Sequence, residues 1–218
     1  WLIDVEGTVK QRPENLVNPK LATGSLELVA EKLVILSRSE TPPFEVSDEN
    51  VMANVDEEIR LAYRYLDLRR PRLQHHLRLR SQVLQHIRSF LVAKDFVEIE
   101  TPMLTKSTPE GSRDFVVPSR LHPGKFYALP QSPQQYKQLL MVGGMERYFQ
   151  IARAMRDEDT RADRGLEHTQ MDLEMSFVEQ KDIMGLIEEL VISIAKLAGK
   201  KITTTPFPRV TYKESIEK

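Results

Sequence analysis

Arg156, Asp172 and Glu174 stand on or beside two segments of the chain whose residue pattern is typical of neighbouring β-strands. The first segment, 148–155, ends directly before Arg156, and the second, 167–177, carries both carboxylates two residues apart. Because side chains two residues apart on a strand point to one face, the two carboxylates should lie on one side of the sheet. A guanidinium binds carboxylates and phosphates through a rigid fork of donors, and carboxylates accept from ammonium groups. The pattern therefore indicates a site for a ligand that carries both an anion and an amine, and the alternative is a solvated charged hairpin.

A second candidate site is the start of a predicted helix. Ser132 is a plausible N-cap, with Pro133 at the first helical position. Gln134 and Lys137 are three residues apart and should share a helix face. One amide and one ammonium there could hold a small anion, whereas the alternative is an ordinary capped helix with exposed polar residues.

Two long helices and several strands would have to position these side chains. Apolar residues at three-, four- and seven-residue spacing predict helices over 71–94 and 183–197, and a shorter helix over 134–141 that ends at Gly143. Strands grouped together, with helices alongside, predict an α+β fold with an antiparallel sheet. The predicted strands cover residues 96–100, 115–117, 126–129, 148–155, 167–177 and 210–212.

The first part of the chain has a different character. Residues 1–39 alternate near period two and predict strands. A complete five-stranded barrel does not fit into so few residues, so we expect only the last strands of a small barrel. Proline and acidic residues predict a linker over 40–70, in which a helix begins near 56–58, and residues 71–218 form the main domain.

Composition excludes several kinds of chemistry. The chain has no cysteine, which excludes disulfides, cysteine-ligated zinc and thiol catalysis. Its net charge of −1 offers no global cationic surface, so a nucleic acid would have to bind at local patches. There is no apolar run of 18 residues, and we expect no membrane partner. The absence of cysteine is compatible with a reducing cytosol, and we expect a cytoplasmic location.

Taken together, these segments resemble the class II aminoacyl-tRNA synthetases, and in particular the bacterial type of aspartyl-tRNA synthetase. The strand–loop–strand over 148–177 is similar to the family's motif 2, and the helix–strand corner that ends at 96–104 is similar to motif 1. The sequence of residues 64–71 is also similar to the corresponding sequence of aspartyl enzymes and their nearest relatives. The resemblance implies a class II catalytic domain over 71–218 and an anticodon-binding OB-type barrel over 1–39.

The resemblance assigns the aspartate-binding residues. Arg156 becomes the catalytic residue, between the α-carboxylate of L-aspartate and the α-phosphate of ATP. Lys137 would bind the side-chain carboxylate of the substrate. The implied neighbours of the substrate ammonium are Glu110, on a loop that closes over the site, Gln134 and Asp172. For Glu174, a structural ion pair and a ligand role are equal alternatives.

ATP binding is where this chain departs most from the family. The resemblance implies that Arg156, Asp157, Glu158, Gly165 and His168 line the ATP site. The bacterial pattern has an aromatic residue at the position of His168, where it stacks on adenine, and Gly165 supplies no side chain where the family has an ATP contact. The cofactors implied are ATP and Mg²⁺, whose ligands are expected mostly outside this chain, so that no metal site lies within it.

Other partners follow from the resemblance alone. Arg161 and Arg164 would approach the acceptor end of tRNA(Asp), and Pro102 would lie in a homodimer interface. The third motif, a second arginine for the aspartate side chain and the inserted domain would lie beyond residue 218, and the first barrel strands before residue 1. We therefore expect a fragment of the enzyme that is inactive alone.

Two kinds of alternative remain. A related adenylate-forming enzyme could charge asparagine or amidate aspartate with the same activation chemistry. A non-catalytic module for tRNA binding or dimerisation could also keep the fold. The charge of Lys137 favours an acidic substrate side chain, and the loss of an aromatic residue at His168 is the one feature that favours the non-catalytic module.

Overall fold

The computed structural model describes residues 1–19, 21–46, 54–108 and 110–217. The chain divides into two compact units, Trp1–Gln74 and His75–Lys218. The predicted division into 1–39, 40–70 and 71–218 stays a prediction, as does the OB-type barrel. In the described part of the chain, no helix is both long enough and apolar enough to cross a membrane.

The first unit begins with a hairpin. Strand β1 (Leu2–Gln11) pairs antiparallel with β2 (Leu26–Ser37), with irregularities in the register beside Gly7 and Leu2. The short helices α1 (Glu57–Ala62) and α2 (Arg64–Asp67) come later in the unit. The predicted helix start near 56–58 is confirmed: the Asp56 carboxylate accepts a hydrogen bond from the Glu58 backbone nitrogen at 2.8 Å and so caps α1.

The same unit contains a buried acid beside α2. Asp67 is fully buried and forms ion pairs with Arg64 and with Arg70, the latter at 3.3 Å. Because a buried carboxylate is costly without a partner, these two arginines are what make the burial of Asp67 tolerable.

The second unit is built on a three-stranded sheet in the order β3–β6–β7. Strand β6 (Arg147–Met155) pairs antiparallel with β7 (Glu167–Met175) over their full length. The edge strand β3 (Val97–Glu98) is shorter than predicted and pairs parallel with β6. A separate antiparallel pair consists of β4 (Val116–Pro118) and β5 (Phe126–Ala128).

Helices α3 (Pro71–Val92) and α5 (Gln180–Leu197) supply the core of this unit. The helix α4 (Gln134–Val142) ends where Gly144 takes a φ of 89°, as predicted for this pair of glycines. The α+β class is confirmed. The buried apolar cluster contains Ile87, Leu91, Phe96, Phe149 and Leu190.

Two local predictions differ from the structure. Residues 210–212 are not a strand; helix α6 (Tyr212–Ile216) begins there instead. Thr211 and Glu214 form a capping box, and this pair of hydrogen bonds decides the local conformation against the β-propensity of Val210. Helix α4 begins one residue later than predicted, so that Pro133 is the N-cap.

Replacing Leu91 by alanine tests the position of the core. Leu91 has no exposed surface, and we expect Leu91→Ala to lower the free energy of unfolding by about 3 kcal/mol. Leu77 lies on the same helix but is 52% exposed, so Leu77→Ala should cost less than about 0.5 kcal/mol. Urea denaturation of both variants measures the difference, and equal losses would place the core elsewhere.

Candidate active site

The two long strands of the second unit have one apolar face and one polar face. Phe149, Ile151 and their neighbours on β7 pack into the helical core. The alternate residues lie on the opposite face, where Gln150 pairs with Asp172 and Tyr148 pairs with Glu174 in the antiparallel register. The prediction that Asp172 and Glu174 share a face agrees with this register.

Lys137 of α4 ends on this polar face and forms a buried ion pair. Its Nζ donates to Asp172 Oδ1 at 2.9 Å and lies 3.3 Å from Glu174 Oε2. Lys137 is only 9% exposed. The structure therefore brings together two residues that the sequence had placed on separate elements, and it gives Glu174 the ion-pair role.

Asp172 has one carboxylate oxygen, Oδ2, that is buried and unpartnered among the described residues. Burial raises the pKa of Asp172 above its ordinary value, against the opposing effect of the Lys137 hydrogen bond. A buried acceptor beside a buried cation suits a ligand that carries an ammonium and a carboxylate.

Two hydroxyl groups and one side-chain amide form a hydrogen-bonded cluster next to the Lys137–Asp172 ion pair. The sequence analysis did not predict this cluster. The Tyr148 hydroxyl donates to Gln150 Oε1 at 2.8 Å, and the Thr101 hydroxyl donates to the same oxygen at 3.0 Å. Burial, followed by the charge of Asp172, raises the pKa of Tyr148, so that this phenol stays protonated. The two-residue alternation of β6 places Tyr148 and Gln150 on one face. Pairing of β6 with β7 would have predicted that this is the face of Asp172.

Glu110 lies at the start of α4. Its Oε2 accepts a hydrogen bond from the Ser132 hydroxyl at 2.5 Å, and its Oε1 accepts from the Thr108 hydroxyl at 3.2 Å. The Ser132 oxygen also accepts from the Gln134 backbone nitrogen at 3.2 Å. The loop that carries Glu110 is thus hydrogen-bonded to the turn that precedes α4.

Arg156 lines a cavity of about 360 Å³. Its backbone nitrogen donates to the Leu166 carbonyl at 2.8 Å, which keeps the loop between β6 and β7 closed at its base. Its Nε lies 3.4 Å from the Gln131 carbonyl. The other residues that line the cavity are Glu158, Asp163, Arg164, Gly165 and His168.

The predicted ATP-binding residues do not all lie in this cavity. Glu158, Gly165 and His168 line it with Arg156, whereas Asp157 is not among its lining residues. The Asp157 carboxylate lies 3.7 Å from Arg113 Nε, and both residues line an adjoining cavity of about 460 Å³.

The remaining predicted contacts lie on the surface. Arg161 and Arg164 are exposed, pair through their backbones across a turn, and line the adjoining cavity. Pro102 is exposed and follows β3. These positions are accessible to a macromolecular partner, and their roles stay predictions.

The family of the chain is decided by comparison with protein-family models. A model described as "tRNA synthetases class II (D, K and N)" matches residues 56–218. The chain belongs to the class II tRNA synthetases.

Curated relatives of this synthetase chain are described as aspartate–tRNA ligases or aspartate–tRNA(Asp/Asn) ligases. The aspartate–tRNA(Asp/Asn) ligase of Rubrobacter xylanophilus is 58% identical over 219 residues, which is 100% of this chain and 36% of the relative. The aspartate–tRNA ligase of Geobacillus kaustophilus is 56% identical over 218 residues, with the same coverage. The chain therefore spans about a third of the length of these relatives.

Solved structures agree with the synthetase fold. A putative aspartyl-tRNA synthetase from Leishmania major Friedlin has a TM-score of 0.74 and 29% identity, over 90% of this chain and 38% of that one. The asparaginyl-tRNA synthetase of Entamoeba histolytica, in complex with asparaginyl-adenylate, has a TM-score of 0.73 and 20% identity, over 99% and 50%. The second likeness concerns the fold alone, and the predicted class II architecture is confirmed.

Removing the charge of Lys137 should destabilise the synthetase in a pH-dependent way. Lys137→Met leaves Asp172, whose side chain is 14% exposed, without its cation, and we expect a loss of about 3 kcal/mol in the free energy of unfolding at pH 7. In the variant the pKa of Asp172 rises further above its unfolded value. The loss should therefore shrink as the pH falls from 7 to 4, because protonation of Asp172 removes the charge that Lys137 compensates.

Urea denaturation at pH 7 and pH 4 measures this difference. Lys181→Met is the matched control, because the Lys181 side chain is 77% exposed, and it should change stability by less than about 0.5 kcal/mol. An equal loss from Lys137→Met at both pH values would contradict the ion-pair account.

Proposed function

We propose that the chain is part of an aspartate–tRNA ligase. The complete enzyme activates L-aspartate with ATP to aspartyl-adenylate and pyrophosphate, and then transfers the aspartyl group to the 3′ end of tRNA(Asp). Family membership and the curated relatives support this proposal. The observation that carries it is the buried contact between Lys137 and Asp172, whose second carboxylate oxygen is left as an acceptor.

The charges of this pair complement the two ends of the substrate. Lys137 binds the side-chain carboxylate of aspartate, and Asp172 accepts from its α-ammonium. Glu110 and Gln134, at the start of α4, complete the ammonium side. A lysine side chain would meet a buried cation at Lys137, and an asparagine side chain would lack the negative charge that attracts this cation.

Arg156 acts on the reacting groups. Its guanidinium holds the α-carboxylate of aspartate next to the α-phosphate of ATP and stabilises the negative charge that develops during in-line attack. The carboxylate oxygen forms a bond to phosphorus while the bond to pyrophosphate breaks. No covalent intermediate on the protein is required, because orientation and charge stabilisation suffice.

The cavity beside Arg156 is assigned to the nucleotide. Glu158 accepts from a donor group of adenosine, and the His168 ring stacks on the base in place of a larger aromatic residue. Asp157, which faces the adjoining cavity, is assigned to the rim of the site. Among the described residues no three His, Cys, Asp or Glu side chains form a metal-ligand group, and the ligands of Mg²⁺ are expected mostly outside this chain.

Macromolecular partners complete the proposal. Arg161 and Arg164 contact the acceptor end of the tRNA, where exposed arginines suit phosphate binding. Pro102 contributes to a homodimer interface, residues 1–39 belong to an anticodon-binding barrel, and the enzyme works in the cytoplasm.

Aspartate-dependent exchange between ATP and pyrophosphate tests the activity. We expect the complete protein to catalyse exchange with aspartate, at a rate at least ~100-fold above that with asparagine or lysine, because Lys137 requires an acidic side chain. The 218-residue chain is measured alongside and should give no exchange. A folded complete protein that exchanges with none of the three amino acids would contradict the proposal.

Arg156→Ala should lower the rate constant of exchange in the complete protein by about 10²–10³-fold, the usual effect of removing one donor to a developing negative charge. The matched control is Arg120→Ala, since Arg120 is exposed and lies in a loop outside the site. Steady-state exchange kinetics of both variants provide the measurement. An unchanged rate in Arg156→Ala would remove this arginine from the reaction.

A further inference from the structure

Gln131 is a buried residue with a side-chain amide, and the proposed reaction assigns it no role. It is 2% exposed, and its side chain makes three hydrogen bonds. Its Oε1 accepts from the Ser112 backbone nitrogen at 3.0 Å, and its Nε2 donates to the Ser112 carbonyl at 2.9 Å and to Asp114 Oδ1 at 2.5 Å. One side-chain amide thus satisfies both backbone groups of Ser112, as a neighbouring strand would.

These bonds hold residues 110–115, whose Phe115 carbonyl also accepts a hydrogen bond from the Leu129 backbone nitrogen at 2.8 Å. The segment begins with Glu110, which accepts from Ser132, and its Arg113 carbonyl accepts from the Asp157 backbone nitrogen at 3.0 Å. Since a buried polar group is costly when it loses its partners, Gln131 fixes this position of the segment more strongly than the exposed contacts do.

The segment also reaches the nucleotide side of the site. The Ser112 hydroxyl donates to Glu158 Oε1. Glu158 is exposed and lines the cavity that contains Arg156 and His168. The Ser112 hydrogen bond is the largest cause that lowers the pKa of Glu158, ahead of the charge of Arg156, so the hydroxyl binds the ionised carboxylate.

We propose that Gln131 is a positioning residue that holds residues 110–115 so that Ser112 orients the Glu158 carboxylate for ATP while Glu110 is held at the ammonium side. This inference rests on the proposed function. An exposed glutamate side chain loses rotamer freedom when a ligand binds it. Because the Ser112 hydroxyl already binds Glu158 Oε1, part of this entropy loss occurs before ATP binds. The Oε2 atom of Glu158 is left to accept from the nucleotide. The two ends of the site are thereby coupled through one short segment.

Ser112→Ala tests the nucleotide end in the complete protein. We expect the Kd for ATP, measured by calorimetry without amino acid, to rise about fivefold, while the KM for aspartate stays within about twofold. In a Glu158→Ala background the same substitution should leave the Kd for ATP unchanged, because its effect acts through that carboxylate. Ser81→Ala, at an exposed position of α3, is the matched control. An equal rise in both backgrounds overturns the proposal.

Gln131→Ala tests the position of the segment itself. The Ser112 amide loses its acceptor, so hydrogen exchange in residues 110–115 should become faster in the ligand-free protein, and both the Kd for ATP and the KM for aspartate should rise. Gln82→Ala, exposed on α3, is the control. Faster exchange with an unchanged Kd for ATP overturns the positioning role, and unchanged exchange overturns the assignment of Gln131.

The measurements separate this inference from the proposed function. Hydrogen exchange and ATP titration need no aspartate activation. A protein that binds ATP but shows no aspartate-dependent exchange would refute the proposed ligase, while the Ser112 and Glu158 variants would still decide whether Ser112 acts through Glu158.

Discussion

The antiparallel register between β6 and β7 is the constraint on which the site depends. Backbone pairing places Gln150 opposite Asp172 and Tyr148 opposite Glu174, and the two-residue period then sends Phe149 and Leu173 into the helical core. A slip of one residue would exchange the two faces and bury the carboxylates among apolar side chains. Core packing therefore fixes where the polar groups lie, and the geometry of the site follows from the same hydrophobic burial that stabilises the sheet.

The charges on the polar face contribute little net stability to the fold. Lys137 faces two carboxylates, and one of them keeps an unpartnered oxygen within the described residues. Apolar side chains of similar volume would stabilise such a position at least as well. A buried cation beside an acid whose pKa is raised by burial is typical of functional sites, which agrees with the proposed binding of aspartate here. Glu158, beside the nucleotide cavity, is instead exposed to solvent, and the Ser112 hydroxyl donates a hydrogen bond to it.

Much of this arrangement could be predicted from sequence, for definite physical reasons. The long helices and the β6–β7 pair follow from hydrophobic period, and the face shared by Asp172 and Glu174 follows from alternation. The contact of Lys137 with Asp172 could not be predicted, because it depends on how α4 packs against the sheet. Gln131 escaped attention because a neutral amide in a turn gives no sequence signal until its partners are known. Residues 210–212 were misassigned because a capping box at Thr211 outweighs β-propensity.

The unpartnered Oδ2 of Asp172 has a consequence for adaptation of the protein. A carboxylate oxygen that is buried without a hydrogen-bond partner destabilises the folded state. A substitution that removes this oxygen should therefore raise the stability of the fold. Under the proposed function the same substitution should weaken substrate binding, so stability and binding oppose each other at this position.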